Sequence, residues 1–138
     1  MEFDARQQFA GSQVVSLATV SPEGAPHLVP VVFALVNSGV DDVVYTAIDA
    51  KRKTTHRLRR LRNIEQNPHV CLLADHYDED WDRLWWVRAD GTAEIHDRGE
   101  EMAAGYDHLR RKYVQYERIS LTGPVLRISV DRWSSWHA

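Results

Sequence analysis

Near the start of this chain, three strand-like runs follow one another with only turns between them. VVSLATVS, HLVPVVFALV and VVYTAI are rich in β-branched residues, which suit a pleated surface, and they are separated by SPEGAP and NSGVDD. In the first turn Pro22 fixes φ and Gly24 tolerates positive φ. A doubly wound α/β fold needs a helix after nearly every strand, and none is available between these. The pairing must therefore be largely antiparallel. Pro30 inside the second run points to an edge or a bulge, because proline cannot donate to a ladder.

The rest of the chain alternates. FDARQQFAGS ahead of the first strand reads as a short helix with Phe3 and Phe9 on one apolar side. KRKTTHRLRRLRNIEQNP reads as a second helix, with Thr54 or Thr55 as the cap and Leu58, Leu61 and Ile64 or Glu65 at helical spacing, so that one side packs down. Asn67-Pro68 ends it. HVCLLAD is a strand, DHYDEDWDR an acidic loop, and LWWVRADGTAEIH a long strand bent near Gly91. RGEEMAAGYDHLRRKYVQY is a third helix with Met102, Tyr106, Leu109 and Tyr113 as its buried stripe. VLRISVDRW is the last strand. About six strands with hairpin-type turns predict a mainly β protein, an antiparallel barrel covered by three helices. Residues 1–138 read as one domain, with no repeat or linker.

Charge is unevenly placed. Lys51 to Arg62 holds seven Lys or Arg and no acid, although the whole chain carries a net charge of −3. With 17 basic against 20 acidic residues, a general nucleic-acid surface is excluded, and the run is a local device. A basic helix face is most often simply solvated, here with the acidic loop as a partner, and such exposed pairs are worth roughly 0.2–1 kcal/mol each. The functional reading is an anion clamp. Lys51 and Lys53 precede the helix, where free N–H groups also favour anions. Arg57 and Arg60, three apart, share a side, and arginine offers a bidentate fork to phosphate.

In LWWVRADG, strand alternation places Trp86, Arg88 and Asp90 on one face and Trp85, Val87 and Ala89 on the other. A cation among aromatics is either a rim residue that snorkels or pairs with an acid, or a wall for a flat anionic ligand. Other chemistry is poorly supported. The seven histidines are scattered without metal-ligand spacing, and the single Cys71 excludes a thiolate cluster. Cys71 reads as an inert core residue. P-loop, dinucleotide fingerprint and serine-hydrolase elbow are all absent. An enzyme built on this chain would rely on a bound cofactor. MEFDARQQF lacks the regions of a signal peptide, and no apolar run approaches the roughly 20 residues of a membrane helix, so a soluble cytoplasmic protein is expected.

Four stretches carry a resemblance: VVSLATVSPEGAPHLVPVVFAL, KRKTTHRLRRLRNIEQNPHVCLLAD, LWWVRADGTAEI with its Trp-x-Arg-x-x-Gly pattern, and RISVDRWSSW. In order and spacing the chain resembles the pyridoxamine 5′-phosphate oxidase-like split-barrel superfamily, in particular its deazaflavin (coenzyme F420)-dependent oxidoreductase branch. The resemblance implies a split antiparallel β-barrel of the FMN-binding type, forming a homodimer with cofactor sites at the interface. It implies that Lys53, Arg57 and Arg60, with Lys51 next, hold the cofactor phosphate. Thr19, Val20, Pro30 and Val32 would approach the ring or ribityl chain. Trp86 and Arg88 would lie near the cofactor or the partner subunit, and Arg88 would act electrostatically. F420 is the expected cofactor and FMN the alternative, because the long anionic tail of deazaflavin suits the cation surplus. The implied activity is hydride transfer to a flat unsaturated or quinone-like small molecule. A non-catalytic protein that binds flavin, deazaflavin or haem is the alternative.

Overall fold

A computed structural model describes residues 2–48 and 57–138, with backbone only for residues 57 and 58. Seven strands form one antiparallel sheet: β1 (Val15–Val20), β2 (Pro26–Val31), β3 (Ala34–Asn37), β4 (Asp42–Ala47), β5 (His69–His76), β6 (Trp85–His96) and β7 (Val125–His137). Three helices accompany them: α1 (Ala5–Gly11), α2 (Arg57–Gln66) and α3 (Gly99–Lys112). The strand order is β2-β1-β5-β6-β7-β4-β3. The two edge strands, β2 and β3, are thus consecutive in the chain and joined only by Val32 and Phe33. The sheet must curl until its edges meet at that junction, while among the described residues the outer sides of β2 and β3 carry no strand partner.

This departs from the reading of HLVPVVFALV as one strand. The chain leaves one edge at Val31 and enters the other at Ala34, and side chains from elsewhere hold the crossing in place. The Tyr113 hydroxyl accepts from Phe33 N at 3.0 Å and lies 2.9 Å from Phe33 O and 2.8 Å from Gln13 O, so it donates to one of these carbonyls. Thr46 Oγ1 donates to Val32 O at 2.7 Å. Pro30 sits on edge strand β2, where its missing N–H costs no ladder bond.

The interior is filled by alternate strand residues, among them Leu17, Val44, Leu72, Val87, Ala89, Leu126 and Ile128. Phe9 of α1 packs edge-on against Phe33 and Trp133, with ring centroids 5.0 and 5.1 Å apart. Helix α1 starts where the Asp4 side chain accepts from Gln7 N, and Phe3 stacks on His137 at 4.5 Å. Leu109 and Tyr113 are buried from the predicted stripe of α3, with Met102 and Tyr106 partly buried. Helix α2 turns Leu61, Asn63 and Ile64 inward, over β1 and β6. The expected caps Thr54 and Thr55 lie outside the described residues.

Gly24 adopts φ +86° in the β1–β2 turn, as its sequence position suggested. Strand β6 is continuous rather than broken. At Asp90/Gly91 its register against β7 slips by one residue, leaving Asp131 unpaired as a bulge. A Cβ on Gly91 would come within 2.5 Å of Ser129 O, so the close approach of β6 and β7 requires glycine there. The last strand runs on through SSWH to His137 instead of ending at Trp133.

Candidate cofactor site

Two regions of the fold carry the residue types that a flat anionic cofactor needs. The first is the outer face of the sheet. Trp86, Arg88 and Asp90 share that face, as the alternation in β6 predicted, while Val87 and Ala89 point into the core. Arg88 stands between Leu73 of β5 and Ser134 of β7, and Trp86 between Asp75 and Trp136. The Arg88 guanidinium lies 5.6 Å from the Trp86 ring centroid, a cation–π arrangement. Arg88 Nε and Arg132 Nε each lie 3.6 Å from the same oxygen, Oδ2 of Asp90. Two guanidiniums against one carboxylate leave positive charge. At 3.6 Å the Arg88 contact is an ion pair too long for a hydrogen bond, and among the described residues its buried Nε has no hydrogen-bond acceptor. A buried N–H in that state is a candidate contact point for a ligand oxygen.

Cys71 stands opposite Asp90 on this face and is half-buried, not part of the interior as expected. It is nonetheless inert at neutral pH. Burial first, then its contact with Asp90, pushes the thiol up to about 11.

The second region is a groove beside the β2–β3 junction. It has a volume of about 320 Å³ and is lined by Gln13, Val14, Val32, Tyr113, Gln115, Tyr116 and Ile119. A smaller pocket of about 180 Å³ at Ala47, Ile48 and Leu121 shares Tyr116 and Ile119 with it. The smaller pocket lies at the end of β4, and the basic run follows in sequence from Lys51. An apolar slot of this size suits the ring of a flat cofactor.

Of the residues named from the sequence, Lys51 and Lys53 lie outside the described residues, as does the side chain of Arg57. Arg60 is half-buried with no carboxylate within ion-pair distance among the described residues, and burial lowers its pKa. The acidic loop does not pair with α2 among the described residues; Asp78 instead contacts His76 at 3.7 Å and Arg83 at 3.5 Å. The Thr19 side chain is buried and its Oγ1 accepts from Asn63 Nδ2 at 3.0 Å, which anchors α2 on β1. Val20 lies half-buried at the end of β1, Pro30 is exposed on β2, and Val32 lines the groove. The structure brings Trp86 and Arg88 together and sets Val32 in the groove. Sequence reasoning missed Val14, Tyr116, Ile119 and Arg132. The only signal for the first three was their apolar character in segments that follow helices. No group of His, Cys, Asp or Glu suited to a metal occurs among the described residues, and no described helix is long and apolar enough to cross a membrane.

A curled antiparallel sheet with consecutive edge strands, an aromatic–cationic outer face and an apolar groove describes a flavin-type split barrel. The family model for pyridoxamine 5′-phosphate oxidase matches residues 1–137, and the chain belongs to that family. No curated protein matches. Among solved structures, an FAD-binding protein from Mesorhizobium loti superposes with a TM-score of 0.70 at 18% identity, over 94% of this chain and 87% of that one. HupZ from Group A Streptococcus gives 0.69 at 23%, over 100% and 96%. The heme storage protein HutZ from Vibrio cholerae gives 0.60 at 16%, over 96% and 90%. At these identities the likeness establishes the split-barrel fold. The family includes oxidoreductases, and the fold is shared with flavin-binding and haem-binding proteins.

Proposed function

We propose that the protein is an F420-dependent oxidoreductase that reduces a flat unsaturated or quinone-like small molecule. The observation that carries this is Arg88. Its guanidinium lies over the Trp86 ring, shares the Asp90 carboxylate with Arg132, and holds a buried Nε with no hydrogen-bond acceptor among the described residues. A flavin-type ring with an anionic tail fits these residues and the groove at Val32. Lys51, Arg52, Lys53, Arg57 and Arg60, five cations in a stretch of sequence without an acid, favour the polyanionic tail of deazaflavin over the single phosphate of FMN.

When bound, deazaflavin supplies a hydride from its C5. The chain's own residues do the rest. Lys51, Lys53, Arg57 and Arg60 bind the anionic tail. Val32, Val14 and Ile119 exclude water from the ring. Arg88 stabilises negative charge that develops on the acceptor. No side chain is assigned as the proton donor, and solvent fills that role.

The site is completed by a second copy of the chain. Leu28 of β2 and Trp136 of β7 are exposed at 67% and 46%, and strand register puts both on the same outer face as Arg88. Large apolar side chains on one side of a sheet are suited to a homodimer interface.

The test is turnover. Reduced F420 is mixed with protein and a quinone such as menadione, and cofactor oxidation is followed optically. Protein-dependent oxidation that falls at least tenfold in Arg88→Ala supports the reading. Equal turnover in that variant refutes the role of Arg88. Tight haem binding with no turnover of F420 or FMN would place the protein with the binding modules instead.

A further inference from the structure

A separate cleft opens between the β1–β2 turn and α2, with a volume of about 500 Å³. That is within the range of small-molecule sites, about 300–1,000 Å³. It shares no lining residue with the groove at Val32. Pro22, Ala25 and Pro26 form its apolar side, and Arg59 and Arg62 line the opposite side. These arginines lie three apart on one side of α2, are exposed, and form no ion pair among the described residues.

His27 completes the donor set. Its place in β2, opposite the buried Thr19, turns it toward α2. Burial first, then the charges of Arg59 and Arg60, holds the imidazole below its usual pKa and therefore neutral at pH 7. Its Nδ1 is buried without a hydrogen-bond partner among the described residues. A bare buried N–H is costlier than a bare lone pair, so the proton belongs on Nε2, which also has no partner among the described residues. Two guanidinium forks and one imidazole N–H thus line a cleft with an apolar side. Glu23 and Glu65 also line it, and the charge of Arg60 reaches His27, so three arginines against two glutamates leave a net charge of +1 around the cleft. That single surplus charge favours a monoanion over a doubly charged phosphate.

We propose that this cleft binds a small organic carboxylate, with Arg59 and Arg62 clamping the carboxylate and Pro22, Ala25 and Pro26 carrying the apolar body. The bidentate geometry of arginine matches a carboxylate, and the donors come from two elements that Asn63 and Thr19 tie together.

The experiment uses the full chain with benzoate as the probe, benzamide as the neutral isostere and inorganic phosphate as the dianion, by calorimetry. His27 is followed by NMR as pH is varied. Benzoate should bind at least tenfold more tightly than benzamide or phosphate. Its affinity should fall at least tenfold in Arg59→Ala/Arg62→Ala, and its negative charge should move the His27 titration midpoint upward. Both arginines are exposed, so the double variant should keep the wild-type circular dichroism spectrum. Benzamide matching benzoate, phosphate exceeding it, an unmoved His27, or unchanged benzoate affinity in the double variant would each overturn the proposal. So would absence of benzoate binding at 10 mM.

Discussion

Replacing Tyr113 by phenylalanine removes one oxygen at the point where the two edges of the sheet meet. That oxygen accepts from Phe33 N at 3.0 Å and donates to a carbonyl of Phe33 or Gln13. Phe33 is fully buried and Tyr113 is 5% exposed, so water does not replace the lost partner. A buried N–H left unpaired costs about 1–3 kcal/mol, and the lost donated bond about 1 kcal/mol. The ring itself stays, so no cavity term is added. The expected loss is about 2–4 kcal/mol. At roughly 0.3 kcal/mol per degree for a chain of this size, the melting temperature should drop by roughly 7–13 °C. Urea denaturation of both proteins under identical conditions measures it. A loss below about 0.5 kcal/mol would refute the argument that Tyr113 fixes the β2–β3 crossing.

Gly91→Ala should cost about 1–3 kcal/mol or more, because the new methyl meets Ser129 O at 2.5 Å and Ile128 Cγ2 at 2.8 Å; denaturation checks it, and wild-type stability would mean that the bulge yields easily. The alkaline pH profile should show two opposed groups. Burial lowers Lys112 from 10.5 to about 8, so the unfolded chain binds more protons between those values and stability rises with pH there. Burial and Asp90 raise Cys71 from 9.0 to about 11, so in that window the folded chain keeps its proton and stability falls. The net rise should be confined to about pH 8–9, flatten above, and turn downward past about pH 10, where burial raises Tyr45, Tyr106 and Tyr113 above their usual 10.0 and the folded chain keeps their protons. Each slope is below the limit of about 1.4 kcal/mol per pH unit, because both groups are only half-buried. Lys112→Met should abolish the rise and Cys71→Ser should extend it; denaturant titrations at successive pH values read both.

Local rules reached some of this architecture and missed the rest for identifiable reasons. Strand alternation placed Trp86, Arg88 and Asp90 together, because a period of two is fixed by the backbone alone. Pro30 pointed correctly to an edge. The break at Val32–Phe33 left no mark, since the run from Leu28 to Val36 contains no turn residue apart from Pro30; the crossing is imposed by Tyr113, 80 residues away. Cys71 sits in an apolar pattern that resembles a core strand, yet its side chain takes the outer face. The groove was equally hidden, being assembled from Val14, Val32, Tyr116 and Ile119 of distant segments. Thr19, which the family resemblance put near the ring or ribityl chain, is buried with Asn63 as its hydrogen-bond partner, a pairing between β1 and α2 that no local pattern announces.

The most direct test of the central claim is binding. F420 and FMN are titrated separately into the purified protein by cofactor fluorescence, alongside Lys53→Ala/Arg57→Ala. F420 affinity at or below micromolar, at least tenfold weaker in the variant and tighter than that for FMN, is the predicted result. Tight FMN binding with weak F420 binding, or F420 affinity unaffected by losing both cations, would contradict it.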